Sequence, residues 1–209
     1  MESIVYVVDD DHAVRQSLVR LLASEGYPAV DFPSAESFFA DPLVSDPSVP
    51  SCLILDLNMP VVDGFDVAGV LKDRGRDLPI IFLTGYGTIP LTVRAMKAGA
   101  REFLTKPVEP ERLLSAVAEA LNVAEKEFAQ QQELFALRQR HLSLTPREQE
   151  VFELAISGLL NKQIAAELGV SEITVKVHRR RVMEKMQARS LADLVHAAGT
   201  LQIAKSRSR

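Results

Sequence analysis

The run Leu53-Ile54-Leu55-Asp56-Leu57-Asn58-Met59-Pro60 takes three apolar residues straight into an aspartate, then a proline, with Gly64 close behind. A short apolar run without alternation, closed by turn-forming residues, is the pattern of a strand buried on both faces. Such a strand carries Asp56 to its carboxyl end, and in open parallel sheets ligands bind outside the carboxyl ends of the strands. Asp56 is then either a carboxylate held at the lip of a sheet for chemistry or a cap for the helix that follows. What surrounds it in the chain decides between the two.

Upstream, Ile4 to Val8 is a second apolar run, ending in Asp9-Asp10-Asp11. His12 to Glu25 carries a helical stripe at Val14, Leu18, Leu21 and Leu22, stopped by Gly26. Pro28 to Phe32 is a weak strand, and Ser34 can cap a brief helix through Phe38 and Phe39. Asp41 to Pro50, with Pro42, Pro47 and Pro50, reads as an irregular loop. Downstream, Gly64 to Asp73 is helical, and Ile80 to Leu83 forms a strand ending at Thr84. A helix from Pro90 closes at Gly99, and Arg101 to Thr105 is a strand ending at Lys106-Pro107. Strand and helix thus alternate five times, which predicts an α/β unit with a doubly wound parallel sheet. The strand ends bring Asp9 and Asp10, Asp56, Thr84 and Lys106 to one edge.

The overall charge of −4 conceals an asymmetry. Residues 141–209 hold 11 basic and 7 acidic side chains, whereas residues 1–140 hold 13 and 21. Opposite signs in the two parts predict two domains, the second facing a polyanion. One cysteine, Cys52, excludes an internal disulfide or a cysteine metal cluster. No apolar run approaches the roughly 18 residues of a membrane span. The N-terminus runs into a strand rather than a signal peptide, so a cytoplasmic protein is expected.

In the second part, Thr145-Pro146-Arg147-Glu148 is a capping box with proline at the first helical position. The helix it starts stops at Gly158. Asn161 to Leu168 forms another, ending at Gly169; Ser171 caps a third, Glu172 to Met186, and Ser190 caps a fourth. This is a helix-turn-helix with flanking helices. On the third helix Val175, Val182 and Met186 share an inward stripe. Lys176, Val177 and Arg180 are placed to read base edges. Lys162, Thr174, His178, Arg179, Arg181 and Lys185 are placed to hold phosphates. Between the parts, Pro110 to Arg140 lacks internal proline and glycine, and Leu114, Val117, Leu121, Ala124, Phe128 and Phe135 fall at heptad spacing. That stripe serves either a dimeric coiled coil or a sheet-covering face followed by a solvated linker.

Three carboxylates grouped together repel one another unless a cation intervenes. Asp9, Asp10 and Asp56 suit Mg²⁺, which takes few carboxylates, and the backbone carbonyl of Asn58 is near enough in sequence to join them. A carboxylate so placed can attack a phosphoryl group, with Lys106 and Thr84 to meet the phosphoryl oxygens. Phe103, on the adjacent strand, can fill the space left if Thr84 moves; ordinary core packing is its simpler reading by spacing.

Val8-Asp9-Asp10, Asp56 with Met59-Pro60 and Asp63-Gly64, Thr84, and Lys106-Pro107 together resemble the receiver domain of two-component response regulators. Asn161-Lys162-Gln163-Ile164-Ala165 and Thr174-Val175-Lys176-Val177-His178-Arg179 resemble the LuxR-type helix-turn-helix. The whole chain resembles a response regulator of the NarL/FixJ type. The resemblance implies a flavodoxin-like receiver over residues 1–122 and a helical linker over 123–141. A four-helix DNA-binding domain would follow over 142–204, then a disordered tail over 205–209. It implies that a sensor histidine kinase phosphorylates Asp56 in the presence of Mg²⁺, held by Asp10, Asp56, the Asn58 carbonyl and, through water, Asp9. It implies Thr84 and Phe103 as a switch pair, a cis Lys106-Pro107 peptide, and a homodimer on phosphorylation that binds promoter DNA, with RNA polymerase as a candidate partner. The competing readings are a phosphorylation-independent DNA-binding regulator and an aspartate-nucleophile phosphohydrolase. Asn58 stands where such a hydrolase would place its second acid.

Overall fold

A computed structural model describes residues 3–46 and 48–203. The chain divides into two compact units, Met1–Ala129 and Gln130–Arg209. The tail expected to be disordered, 205–209, lies outside the described residues.

The first unit is built on five parallel strands: β1 (Ile4–Val8), β2 (Ala29–Phe32), β3 (Ser51–Asp56), β4 (Ile80–Thr84) and β5 (Ala100–Thr105). Their order in the sheet is β2-β1-β3-β4-β5, so β3 is central. Alternate residues of each strand enter different cores. Leu53, Leu55, Phe82 and Tyr6 join a cluster with α2 (Ala35–Ala40), α4 (Gly64–Asp73) and α5 (Ile89–Lys97). Ile54, Ile81, Val5 and Val7 join another with α1 (His12–Ser24) and the start of α6 (Pro110–Leu142). Every residue of β3 is buried, which is why its sequence shows no alternation. Fully burying an aliphatic side chain of this size contributes about 1.5–3 kcal/mol, so β3, buried along its whole length, is a firmly anchored platform for an acid at its tip.

Two local expectations need correction. Asp41–Pro50 contains a short helix, α3 (Pro42–Ser45), rather than being irregular throughout. Asp41 accepts the Leu43 amide at 2.8 Å and Pro42 takes the first turn, so the aspartate-proline pair caps a helix instead of breaking one. Burial of Val44 against the core of the first unit holds it. The central strand runs from Ser51 to Asp56 rather than from Leu53 to Leu57, the span its apolar residues predict, so Leu57 belongs to the loop.

Helix α6 is one uninterrupted element of 33 residues. Its heptad stripe changes surroundings along its length: Val117, Leu121 and Ala124 are buried, whereas Phe135 is exposed. Ser3 bonds Glu125 and Arg101 pairs with Glu127, so the first unit extends past residue 122. Leu137 packs into the core of the second unit, so the turns before Leu142 are not a bare connector.

The second unit contains α7 (Pro146–Ile156), α8 (Asn161–Leu168), α9 (Glu172–Met186) and α10 (Leu191–Thr200). Thr145 and Glu148 close the expected capping box, and Ser171 and Ser190 cap α9 and α10 through the Thr174 and Asp193 amides. Gly169 ends α8 in the left-handed region at φ 65°, which lets the chain turn into α9 within three residues. Phe152, Val182, Met186 and Leu194 form one side of the core; Val151, Ile164 and Val175 form the other.

Candidate functional site

The acidic edge assembles from three strand ends. β1 delivers Asp9, fully buried, and the following turn exposes Asp10. β3 delivers Asp56, 5% exposed. Ligand atoms of Asp9, Asp10 and Asp56 all lie within 4.8 Å of one another. From the end of β5, Lys106 Nζ reaches Asp9 Oδ2 at 2.6 Å and Asp56 Oδ2 at 3.0 Å. The Lys106 backbone is fixed by its amide, which donates to the Thr84 carbonyl at 2.7 Å. The Lys106-Pro107 peptide is cis.

Burial pushes the Asp9 carboxyl above its usual range, against the opposing bonds from Lys106 and the Asp11 amide. Burial also works against the Lys106 ammonium, but its bonds to Asp9 and Asp56 outweigh this and raise its pKa. The lysine is thus held charged, while the buried acid beside it still carries a net cost for its charge. Three carboxylates against one ammonium leave two negative charges in a partly buried corner. That donor set and that residual charge fit a divalent, oxygen-seeking cation.

Thr84 is buried and its hydroxyl accepts from Asn58 Nδ2 at 3.1 Å and from the Tyr86 amide at 3.2 Å. Asn58 thereby ties the loop after β3 to the end of β4, and its backbone N–H donates weakly to Asp56 Oδ1 at 3.3 Å. Phe103 is buried beside Phe82 in the β4–β5 pairing, while Tyr86 is largely exposed. Gly64 approaches the site closely: a Cβ there would stand 2.6 Å from the Asp56 carbonyl oxygen. A side chain at position 64 would collide with the backbone that carries the central acid.

Arg15 was not among the sequence candidates. It is 7% exposed, and its Nη1 donates to the carbonyls of Asp9 at 2.7 Å and Asp10 at 3.1 Å. Its Nε pairs with Asp31 Oδ2 at 3.0 Å. The available signal was its spacing with Leu18 and Leu22, which puts a charged residue on the buried face of α1.

On α9, Lys176, Val177 and Arg180 are exposed, and the two cations make i,i+4 pairs, with Glu172 at 3.5 Å and Glu184 at 2.8 Å. Such exposed pairs are weak and readily exchanged. Lys162 and Arg181 are exposed as well. Arg179 donates to Asn161 Oδ1 at 2.9 Å, and the Thr174 hydroxyl lies 2.8 Å from that of Ser171. His178 is half-buried, and its Nδ1 is enclosed without a hydrogen-bond partner among the described residues. Lys185 stands apart from the others: it donates to Glu148 Oε2 at 2.6 Å and to the Ser143 carbonyl at 2.9 Å. Its ammonium is occupied inside the unit, and this sets it apart from the cations that face solvent.

A sheet edge carrying this acid, lysine and hydroxyl set, on a chain that also holds a capped helix-turn-helix with a basic outer face, is the pairing of a receiver-type unit with a DNA-binding module. The comparisons agree. The response regulator receiver domain family matches residues 5–118, and the LuxR family of bacterial regulatory proteins matches residues 142–198. Nodulation protein W of Bradyrhizobium diazoefficiens is 46% identical over 202 residues, spanning 97% of this chain and 88% of that protein. Response regulator protein TodT of Pseudomonas putida is 43% identical over 200 residues, spanning 96% and 87%. The solved structure of the response regulator StyR superposes with a TM-score of 0.86 at 44% identity, covering 95% of this chain and 99% of that one. The chain belongs to the response regulators of the NarL/FixJ type, a receiver domain followed by a LuxR-type DNA-binding domain. No helix among the described residues is long and apolar enough to cross a membrane.

Proposed function

We propose that Asp56 accepts a phosphoryl group from a sensor histidine kinase and that the product shifts the chain toward a DNA-binding dimer. The observation that carries this is Lys106 bridging Asp9 and Asp56 at 2.6 and 3.0 Å, with the third acid, Asp10, alongside. In the step, an Asp56 carboxylate oxygen bonds to phosphorus and the phosphorus–nitrogen bond of the donor phosphohistidine breaks. Its electron pair returns to the imidazole nitrogen, which takes up a proton. Asp10, Asp56 and the Asn58 carbonyl, with Asp9 further back, would hold Mg²⁺. When bound, that ion supplies positive charge against the phosphoryl oxygens and relieves the repulsion among the acids. Lys106 exchanges a carboxylate partner for a phosphoryl oxygen. Asn58 carries an amide and has no acidic proton for a leaving group, which favours a lasting acyl phosphate over turnover.

Phosphorylation adds about two negative charges and three strong acceptors at this edge. Thr84, at the end of the neighbouring strand, is the hydroxyl to be recruited, and its present partners, Asn58 and the Tyr86 amide, lie on the loops that would respond. Phe103 is the residue to fill the space it leaves. Beyond these loops, Tyr86, Ile89, Val93 and Met96 present an exposed apolar stripe on and before α5. A second copy burying that stripe is the dimer we propose, and α9 is the element that enters the major groove of promoter DNA.

The test pairs acetyl-phosphate labelling with genome-wide footprinting, in the native chain and in Asp56→Asn. Labelling and phosphodonor-dependent footprints are expected from the native chain alone. Equal footprints with and without donor, or labelling that survives Asp56→Asn, would refute the proposal.

A further inference from the structure

We infer that Arg15 is a positioning residue for divalent-cation binding, acting through the backbone of the acidic corner. The inference rests on the cation site proposed above.

A buried guanidinium costs several kcal/mol in lost hydration unless its donors are matched. Arg15 is matched on three sides. Asp31 on β2 takes Nε at 3.0 Å, and the carbonyls of Asp9 and Asp10 take Nη1 at 2.7 and 3.1 Å. His12 Nδ1 lies 3.3 Å from Nη2. The Asp9 amide is separately held by the Phe32 carbonyl at 3.2 Å. Both peptide groups of the acid pair are therefore turned toward the arginine, and β2 anchors the arginine in turn. With those carbonyls committed to one side, the Asp9 and Asp10 carboxylates are left to converge with Asp56. Fork geometry is what allows one side chain to bridge two successive carbonyls and a carboxylate; a lysine ammonium lacks it.

Charge and geometry predict opposite results here. Considered as charge, Arg15 stands beside a cation site and repels the cation, although Asp31 offsets it. Removing it would then tighten cation binding. Considered as a brace for the ligands' backbone, its removal loosens the acids and weakens binding. Losses of outer-shell partners typically cost 10–100-fold in metal affinity.

The experiment is calorimetric titration of the full unphosphorylated chain with Mg²⁺ alone. Native protein is compared with Arg15→Gln, Arg15→Lys, Asp31→Asn and, as a destabilised control on the same helix, Leu22→Ala. We expect Arg15→Gln and Arg15→Lys each to lose about tenfold or more in Mg²⁺ affinity, with Leu22→Ala near native. Tighter binding by Arg15→Gln, native affinity in Arg15→Lys, or an equal loss in Leu22→Ala would overturn the inference while leaving the cation site intact. If the arginine variants do not fold, Asp31→Asn decides: a loss that persists at high salt supports bracing, and one abolished by salt overturns it. No binding by the native chain would overturn the cation site and this inference together.

Discussion

Lys185 on α9 meets Glu148 on α7 at 2.6 Å, and the same carboxylate closes the capping box by accepting the Thr145 amide at 2.9 Å. One acid thus starts the first helix of the DNA-binding unit and fastens the recognition helix to it. Burial works against the Glu148 carboxylate, but its bonds from Lys185 and Thr145 prevail and hold its pKa below the usual range. A depressed folded value means that its stabilisation is present above the ordinary glutamate value and is lost as pH falls through the folded value. Glu148→Gln should destabilise the chain by about 1–3 kcal/mol near neutrality, with a smaller difference in acid. Denaturant melts across pH measure this; a constant difference would contradict it.

Asp9 has the opposite sign. Its folded pKa is raised, so in the window above the ordinary aspartate value the folded chain binds more protons than the unfolded one, and stability falls as pH rises through it. Asp9→Asn keeps an acceptor for the Asp11 amide and leaves Lys106 to Asp56. The variant should therefore melt higher than the native chain at pH 7 and bind Mg²⁺ less well. The stability gain should shrink as the medium is acidified. A lower melting point at pH 7 would contradict the burial cost assigned to this acid.

Gly64→Ala places a methyl group 2.6 Å from the Asp56 carbonyl and 3.1 Å from the Leu57 backbone. Neither contact is with a flexible side-chain end alone, so the loop must move. A loss of about 1–3 kcal/mol is expected from overpacking, together with weaker Mg²⁺ binding because Asp56 is displaced. Calorimetric melting and Mg²⁺ titration report the two effects separately.

Val61 sits at φ 72° with its side chain in solvent. A β-branched residue in the left-handed region costs about 1–2 kcal/mol, and no packing offsets it here. Val61→Asn should stabilise the chain by about 1 kcal/mol in denaturant melts. A neutral or destabilising result would mean that the position is constrained by something other than its backbone angle.

Arg181 and Lys185 differ in availability despite standing four apart on one helix. Arg181→Ala should lower the salt-dependence slope of DNA binding by about one and weaken binding across sequences. Lys185→Met should leave the slope nearly unchanged while lowering stability, because its ammonium is held by Glu148 and Ser143. Salt titrations on one promoter fragment distinguish the two.

The elements themselves were legible from local chemistry. Unalternating apolar runs marked β1, β3 and β4 because helices cover both faces, and Thr145, Ser171, Ser190 and Gly169 marked helix ends through capping needs that are local to a few residues. The acids, Thr84 and Lys106 could be placed on one edge because parallel strands share a direction. Helix α3 is not legible because three prolines in one segment indicate an irregular loop more strongly than one aspartate-proline cap indicates a helical turn.

The sequence by itself determined which residue types reach the sheet edge and which helix carries the basic face, since strand direction, period and capping depend on neighbours in the chain. Only the tertiary structure decided which charges are engaged. Arg15 and Asp31 meet across 16 positions, Lys106 and Asp9 across 97, and Lys185 and Glu148 across 37. Burial and partnership arise from packing between elements, and no local pattern distinguishes a lysine tied to a buried glutamate from one free to meet a phosphate. Asp56 was visible as an acid at the tip of a strand; its pairing with Lys106 and its place among two further carboxylates came from the fold.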